Sequence, residues 1–219
     1  MWQALSRDEF LRLLILSSNT LDQRVLTGQI AFAFGCPLPA HAGEYLPIDG
    51  VAVMTTSMLA ATGVKLEDAA GAVRQRSEDW LKLVTRAERE PIFGSGGEQV
   101  GPELFFVVAT VFDGSFLSRR VAVGTMDEIM AAFRDKSLHA AGFVSIHRVL
   151  RQLRANARLA KPKVALPDRF TIAPDEPGYE NWRREIAAYQ ERAEARFKAK
   201  AKGRRPARAP AGKRPLLKV

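Results

Sequence analysis

Cysteine and histidine are scarce in this chain, with one Cys and three His among 219 residues. The single thiol, Cys36, cannot form an internal disulfide, and it cannot supply two thiolates to a metal site. His41, His139 and His147 lie far apart along the sequence. The sequence therefore predicts no metal centre, and it offers no motif for a cofactor.

Long apolar runs are missing too. None approaches the roughly 20 residues that a membrane-spanning helix needs. The first ten residues, MWQALSRDEF, include Asp8 and Glu9 and lead into no small-residue cleavage site. We therefore expect a cytoplasmic protein without a membrane partner.

Patterns typical of catalysis are also lacking. The chain has no Gly-x-Ser-x-Gly nucleophile motif. Its glycine-rich stretch, GSGGEQVG, lacks the Lys-Ser/Thr pair of a phosphate-binding loop. The sequence thus gives no reason to expect an enzyme.

Acidic residues are absent from the end of the chain. The net charge is +9, from 33 Lys and Arg against 24 Asp and Glu. From Arg196 onward there are ten Lys and Arg and no acid, which leaves 33 − 10 = 23 basic against 24 acidic residues before that point. Almost all of the positive excess therefore lies in RFKAKAKGRRPARAPAGKRPLLKV, a composition that favours binding to a polyanion.

The first 92 residues have the pattern of a small helical domain. Ser6 and Glu9 form a capping-box pattern before an apolar face, and Ser17 and Ser18 break that helix before a second one that Gly28 ends. Alternating Phe32 and Phe34, a turn rich in Gly and Pro, and Tyr45 predict a hairpin. Helices are expected over IDGVAVMTTSMLAATGV, closed by Gly63, and over the stretch up to residue 90.

Beyond a glycine-rich linker at 93–102, residues 103–160 predict a small α+β domain. It comprises two strands around Asp113-Gly114, a helix, and a strand that runs into another helix. We expect a polar helix at 179–202 with a packing stripe of Trp182 and Tyr189. Residues 203–219 have the composition of a disordered basic tail.

The order helix, turn, helix, hairpin, helix, helix in residues 1–92 resembles the MerR-type winged helix-turn-helix. SSNTLDQRVLTGQI is similar to the turn and recognition helix of that family. In the following segment the wing-closing aromatic, the helix-capping acid, the turn glycine and the next apolar face are matched by Tyr45, Asp49, Gly63, Leu66 and Ala69. The resemblance implies a DNA-binding domain, a homodimer, and a recognition helix in the major groove.

On this resemblance, the expected DNA contacts fall into two groups. Thr20, Gln23, Arg24 and Thr27 would face the major groove, and His41 would lie at the wing tip. The tail would add phosphate contacts through Arg204, Arg205, Arg208, Lys213 and Arg214.

Two departures from the family leave a second function open. Glu44 stands where a basic residue generally precedes the wing aromatic, and Asp22 adds a negative charge to the recognition helix. The sequence thus predicts a nucleoid-associated transcriptional regulator that binds double-stranded DNA. The alternative is a protein–protein adaptor, in a phage-like or polymerase-associated assembly, whose basic tail alone contacts nucleic acid.

Overall fold

The computed structural model describes residues 3–92, 98–112, 114–161 and 165–203. Within these ranges the chain forms eight α-helices and two small antiparallel sheets. The helices are α1 (Arg7–Leu14), α2 (Ser18–Leu26), α3 (Pro47–Ala61), α4 (Leu66–Gln75), α5 (Ser77–Arg89), α6 (Met126–Ala132), α7 (Ile146–Ala160) and α8 (Tyr179–Gly203). The strands are β1 (Leu5–Ser6), β2 (Glu44–Tyr45), β3 (Phe105–Phe112), β4 (Leu117–Gly124) and β5 (Ser137–Ser145). The expected mixed α+β class is therefore confirmed.

The first two helices and the turn between them are formed by local capping. The Ser6 hydroxyl accepts a hydrogen bond from the backbone of Glu9, and the Glu9 carboxylate accepts one from the backbone N–H of Ser6 at 2.9 Å. Helix α1 ends at Ile15, which adopts a left-handed conformation. Ser17 then accepts from the Thr20 N–H at 3.1 Å and starts α2. The expected capping box is confirmed, but the break falls at Ile15, before the two serines, of which Ser17 caps α2 and Ser18 is its first residue.

The expected wing hairpin is wrong. Residues Ala33–Gly35 form a 3-10 turn in place of a strand, and Phe34 has a positive φ of 60°. Tyr45 lies in a strand as expected, but that strand pairs with β1 at the start of the chain. The physical reason is that Ala31 and Ala33, which alternate with the two aromatics, are buried as fully as Phe32 and Phe34. The alternation of aromatics therefore does not mark a strand with one exposed face.

Helix α3 occupies the centre of the molecule and is buried around most of its circumference. Such a helix has no solvated face, which explains its continuous apolar sequence. It ends at Thr62, and Gly63 follows with a φ of +96°, as expected for a glycine between two helices. The helical stretch predicted up to residue 90 forms two helices, α4 and α5.

The second sheet has the strand order β4-β3-β5, with β3 antiparallel to both neighbours. Alternate residues of β3 point to opposite sides. Val107, Ala109 and Val111 pack against Ile129 and Phe133 of α6 and its C-terminal end. The other side, which includes Phe106 and Val108, belongs to the main core. The predicted β3–β4 hairpin is confirmed, although Asp113 of its turn lies outside the described residues.

One hydrophobic core joins the beginning and the end of the described chain. It contains Phe10 of α1, Leu59 of α3, Leu153 of α7, and Trp182 and Tyr189 of α8. The expected stripe of Trp182 and Tyr189 therefore packs against the body of the protein. Helix α8 confirms the predicted polar helix at 179–202. Apart from Gly203, the predicted tail lies outside the described residues.

Candidate nucleic-acid interface

The four residues expected to read bases lie on α2, but most of their polar groups already have partners. The Thr20 hydroxyl bonds the Ser17 hydroxyl at 2.8 Å, and the Thr27 hydroxyl donates to the backbone carbonyl of Gln23 at 2.8 Å. Arg24 is half-buried. The side chain of Gln23 is exposed and has no hydrogen bond to any residue that the structure describes. Of the four, Gln23 offers its amide most directly to an external ligand.

The guanidinium of Arg24 turns toward the body of the protein. Its Nη1 donates to the Ser57 hydroxyl of α3 at 3.1 Å. A base contact by Arg24 would therefore require this hydrogen bond to break. Sequence reasoning missed the pairing because Ser57 lies 33 residues further along the chain.

The negative charge of Asp22 is compensated locally. The Nη2 of Arg7 lies 2.7 Å from the Asp22 carboxylate and also donates to the Ser18 hydroxyl at 2.9 Å. This ion pair links α1 to α2 across the turn. The negative charge of Asp22 therefore lowers the electrostatic potential at the α2 surface less than the sequence alone indicates.

The C-terminal end of α2 is fixed by Arg74 of α4. Its Nη1 donates to the Gly28 carbonyl at 2.9 Å and to the Ile30 carbonyl at 2.8 Å. Gly28 and Ile30 follow Leu26, the last residue of α2, so Arg74 fixes the turn by which the chain leaves this helix. No local motif predicts this contact, since 46 residues separate Arg74 from Gly28.

The last turns of α8 lie beside this end of α2. A groove of about 560 Å³ separates them, with Leu26, Thr27 and Gly28 on the α2 side and Phe197, Lys200 and Ala201 on the α8 side. Arg196 fixes α8 here by donating to the Pro39 carbonyl at 2.8 Å, and Gln190 donates to the Phe34 carbonyl at 3.2 Å.

This placement brings exposed positive charge next to α2. Lys198, Lys200 and Lys202 are exposed, and only Lys198 makes an ion pair with a described residue, Glu194, at 3.5 Å. The expected tail contacts, Arg204, Arg205, Arg208, Lys213 and Arg214, lie outside the described residues. They follow directly after the end of α8 in the sequence.

His41 is exposed in the loop before β2, where it forms an isolated bridge with Glu44. Because residues 32–36 do not pair with β2, His41 is not at the tip of a wing. His147 makes hydrogen bonds within the protein. Its Nε2 lies 2.8 Å from the Glu90 carbonyl, and its Nδ1 lies 3.4 Å from the Leu104 N–H.

A buried carboxylate connects α3, the 3-10 turn and α8. Asp49 accepts hydrogen bonds from the backbone of Leu46 at 2.8 Å and of Ala33 at 2.9 Å, and from the Tyr189 hydroxyl at 3.1 Å. Burial raises the pKa of Asp49 to about 6, although these three donors act in the opposite direction. The expectation that Asp49 caps a helix is confirmed. Its hydrogen bond with Tyr189 of α8 was not predicted from the sequence.

We expect Asp49 to make stability depend on pH. Its folded pKa, about 6, lies above the 3.8 of an unperturbed Asp, so the folded protein binds this proton more tightly. The resulting stabilisation is complete below pH 4 and is lost as the pH rises through 6. It amounts to about 3 kcal/mol at most. Urea unfolding of the wild type and Asp49→Asn between pH 4 and 7 measures it.

The difference in unfolding free energy between these two chains should shift in favour of the wild type as the pH falls. The other carboxyl groups are common to both chains, so their titration cancels in the difference. A difference that stays constant from pH 7 to pH 4 would contradict the raised pKa.

The sequence carries no signal for the groove between α2 and α8, because its two sides are more than 160 residues apart. A scan against protein-family models and a search of curated proteins both found no match to this chain. Among the described residues, no helix has the length and apolar character to cross a membrane.

Proposed function

We propose that this protein is a double-stranded DNA-binding transcriptional regulator. In this proposal α2 enters the major groove, and the basic end of α8 with the tail after it binds the phosphates alongside. The observation that carries the proposal is the position of Phe197 and Lys200 across the groove from Thr27. It supplies positive charge where a recognition helix with one arginine needs it.

The proposal keeps the helix-turn-helix part of the MerR-like resemblance and does not depend on a wing. Gln23 is the residue to which we assign base recognition, since its amide is exposed and Gln can make two hydrogen bonds to adenine. A homodimer on two half-sites belongs to the proposal, because one short helix reads few base pairs.

A matched pair of double variants tests the phosphate role of α8. Lys200→Gln with Lys202→Gln should reduce the slope of log affinity against log salt by about 1.8, because each phosphate contact contributes about 0.9. The control is Arg151→Gln with Arg158→Gln, which removes the same charge from the exposed face of α7. An equal loss in both would mean that net charge alone, without a defined surface, drives binding.

A second experiment tests base recognition. Duplexes enriched from a random pool by the full chain provide the probe. Gln23→Ala should weaken binding to the enriched sequence by about 1–3 kcal/mol and leave binding to random duplex almost unchanged. Gln3→Ala, which removes an exposed amide outside α2, is the control. Enrichment of no sequence at all would contradict the regulator.

One surface favours the adaptor as a second candidate. Three apolar side chains are between 46% and 61% exposed at the end of the β3–β4 hairpin, Phe112, Phe116 and Leu117, and Phe112 is the cross-strand partner of Leu117. Contiguous exposed apolar surface is typical of a protein-binding site. Loss of binding to an assembly partner in Phe116→Ser, with DNA affinity unchanged, would favour the adaptor.

A further inference from the structure

A cavity lies between α5, the segment at 172–174 and the start of α8. Its volume is about 640 Å³, within the range of small-molecule sites. It is separate from the α2 surface, since no residue of α2 lines it. Three chain segments that are distant in sequence therefore form one concave site.

The walls of this cavity are mainly apolar and partly aromatic. The rings of Tyr179 and Trp182 lie 5.8 Å apart, tilted by 37°, and form one wall. Leu81, Ile172 and Pro174 contribute aliphatic surface. A slot with aromatic and aliphatic sides favours a flat ring, which can contact such surfaces over most of its area.

The rim of the cavity carries three cations, two of which are paired with carboxylates. Lys82, Arg86 and Arg89 line it, against one acid, Glu90. Arg86 bonds Glu90 at 3.0 Å and Glu128 at 3.1 Å, and Arg89 bonds Asp175 at 2.7 and 3.0 Å.

Of the three cations at this rim, Lys82 is the one that is free to contact a ligand. It is exposed and makes no ion pair with any residue that the structure describes. One uncompensated positive charge beside an apolar slot is complementary to a ligand that carries a single negative charge.

We propose that the α5–α8 cavity is a binding site for a small aromatic monoanion. In this site the ring lies against Tyr179 and Trp182, and the acidic group meets the ammonium of Lys82. The site does not rest on the DNA-binding proposal, because it is defined by other residues. Binding can therefore be tested without DNA.

The experiment uses the full chain and two fluorescent probes with similar fused rings. One is 1-anilinonaphthalene-8-sulfonate, which has one negative charge, and the other is the neutral N-phenyl-1-naphthylamine. We expect saturable binding of the anionic probe at one site per chain. Lys82→Gln should weaken it about three- to tenfold, the effect of losing one charge contact, and should change the affinity for the neutral probe less than twofold.

Two further variants complete the test. Lys65→Gln removes an exposed lysine at the turn between α3 and α4, so it should change neither affinity. Tyr179→Ala should weaken both probes, because it removes part of the aromatic wall. Thermal unfolding of each variant verifies that it is folded. Non-saturable binding, or an affinity for the anion that is the same in wild type and Lys82→Gln, would overturn the proposal.

Discussion

Removal of residues 204–219 is expected to make DNA binding far less sensitive to salt. The segment carries six positive charges, Arg204, Arg205, Arg208, Lys213, Arg214 and Lys218. With each phosphate contact contributing about 0.9, the slope of log affinity against log salt should flatten by up to about five units. Titration of a labelled duplex at several salt concentrations measures this slope.

Sequence preference should survive this truncation, because base edges are read in the groove and phosphates carry no sequence information. A second variant, with the six basic residues replaced by Gln at full length, separates the effect of charge from that of chain length. The truncated protein should still prefer its enriched sequence over random duplex at low salt. Loss of all preference together with all binding would favour the adaptor, whose tail alone contacts nucleic acid.

Tyr189→Ala is expected to cause the largest loss of stability among the variants considered. Tyr189 is buried, packs edge-on against Phe34 with ring centroids 5.8 Å apart, and donates to Asp49. Truncation of a buried aromatic side chain lowers the free energy of unfolding by about 3–5 kcal/mol. Urea unfolding followed by circular dichroism gives the measurement.

Two companion variants show where that loss originates. Tyr189→Phe keeps the ring and removes the hydroxyl, so it should lower the free energy of unfolding by only about 1–2 kcal/mol. Phe197→Ala lies on the same helix, but its side chain is 48% exposed, so its effect should be below about 1 kcal/mol. Similar small losses in Tyr189→Ala and Phe197→Ala would show that α8 does not complete the core.

Local signals in the sequence were sufficient for three helix boundaries among the first three helices. Ser6 with Glu9, Ser17 before α2, and Gly63 after α3 each act within a few residues, and all three are present in the structure. The β3–β4 hairpin was also predictable, since its two strands are adjacent in sequence. These features depend on short-range hydrogen bonds, which the order of residues directly encodes.

The pairing of distant segments could not be predicted in the same way. Tyr45 was correctly placed in a strand, but the choice of β1 as its partner depends on tertiary packing, including the stacking of Tyr45 on Phe10 with centroids 4.2 Å apart. The candidate interface also depends on contacts between residues that are distant in sequence. Arg24 reaches Ser57, and Lys200 lies across the groove from Thr27, through contacts that no local pattern marks.

The hydrogen bond between Tyr189 and Asp49 also constrains the order of events during synthesis. The two residues are separated by 140 positions, so Asp49 leaves the ribosome long before its third donor exists. Until then the cleft around Phe34 lacks the aromatic rings of α8 and exposes apolar surface to solvent. Contacts of such sequence separation slow folding. The amino-terminal helices thus emerge first, and they reach their final packing only after α8 has been synthesised.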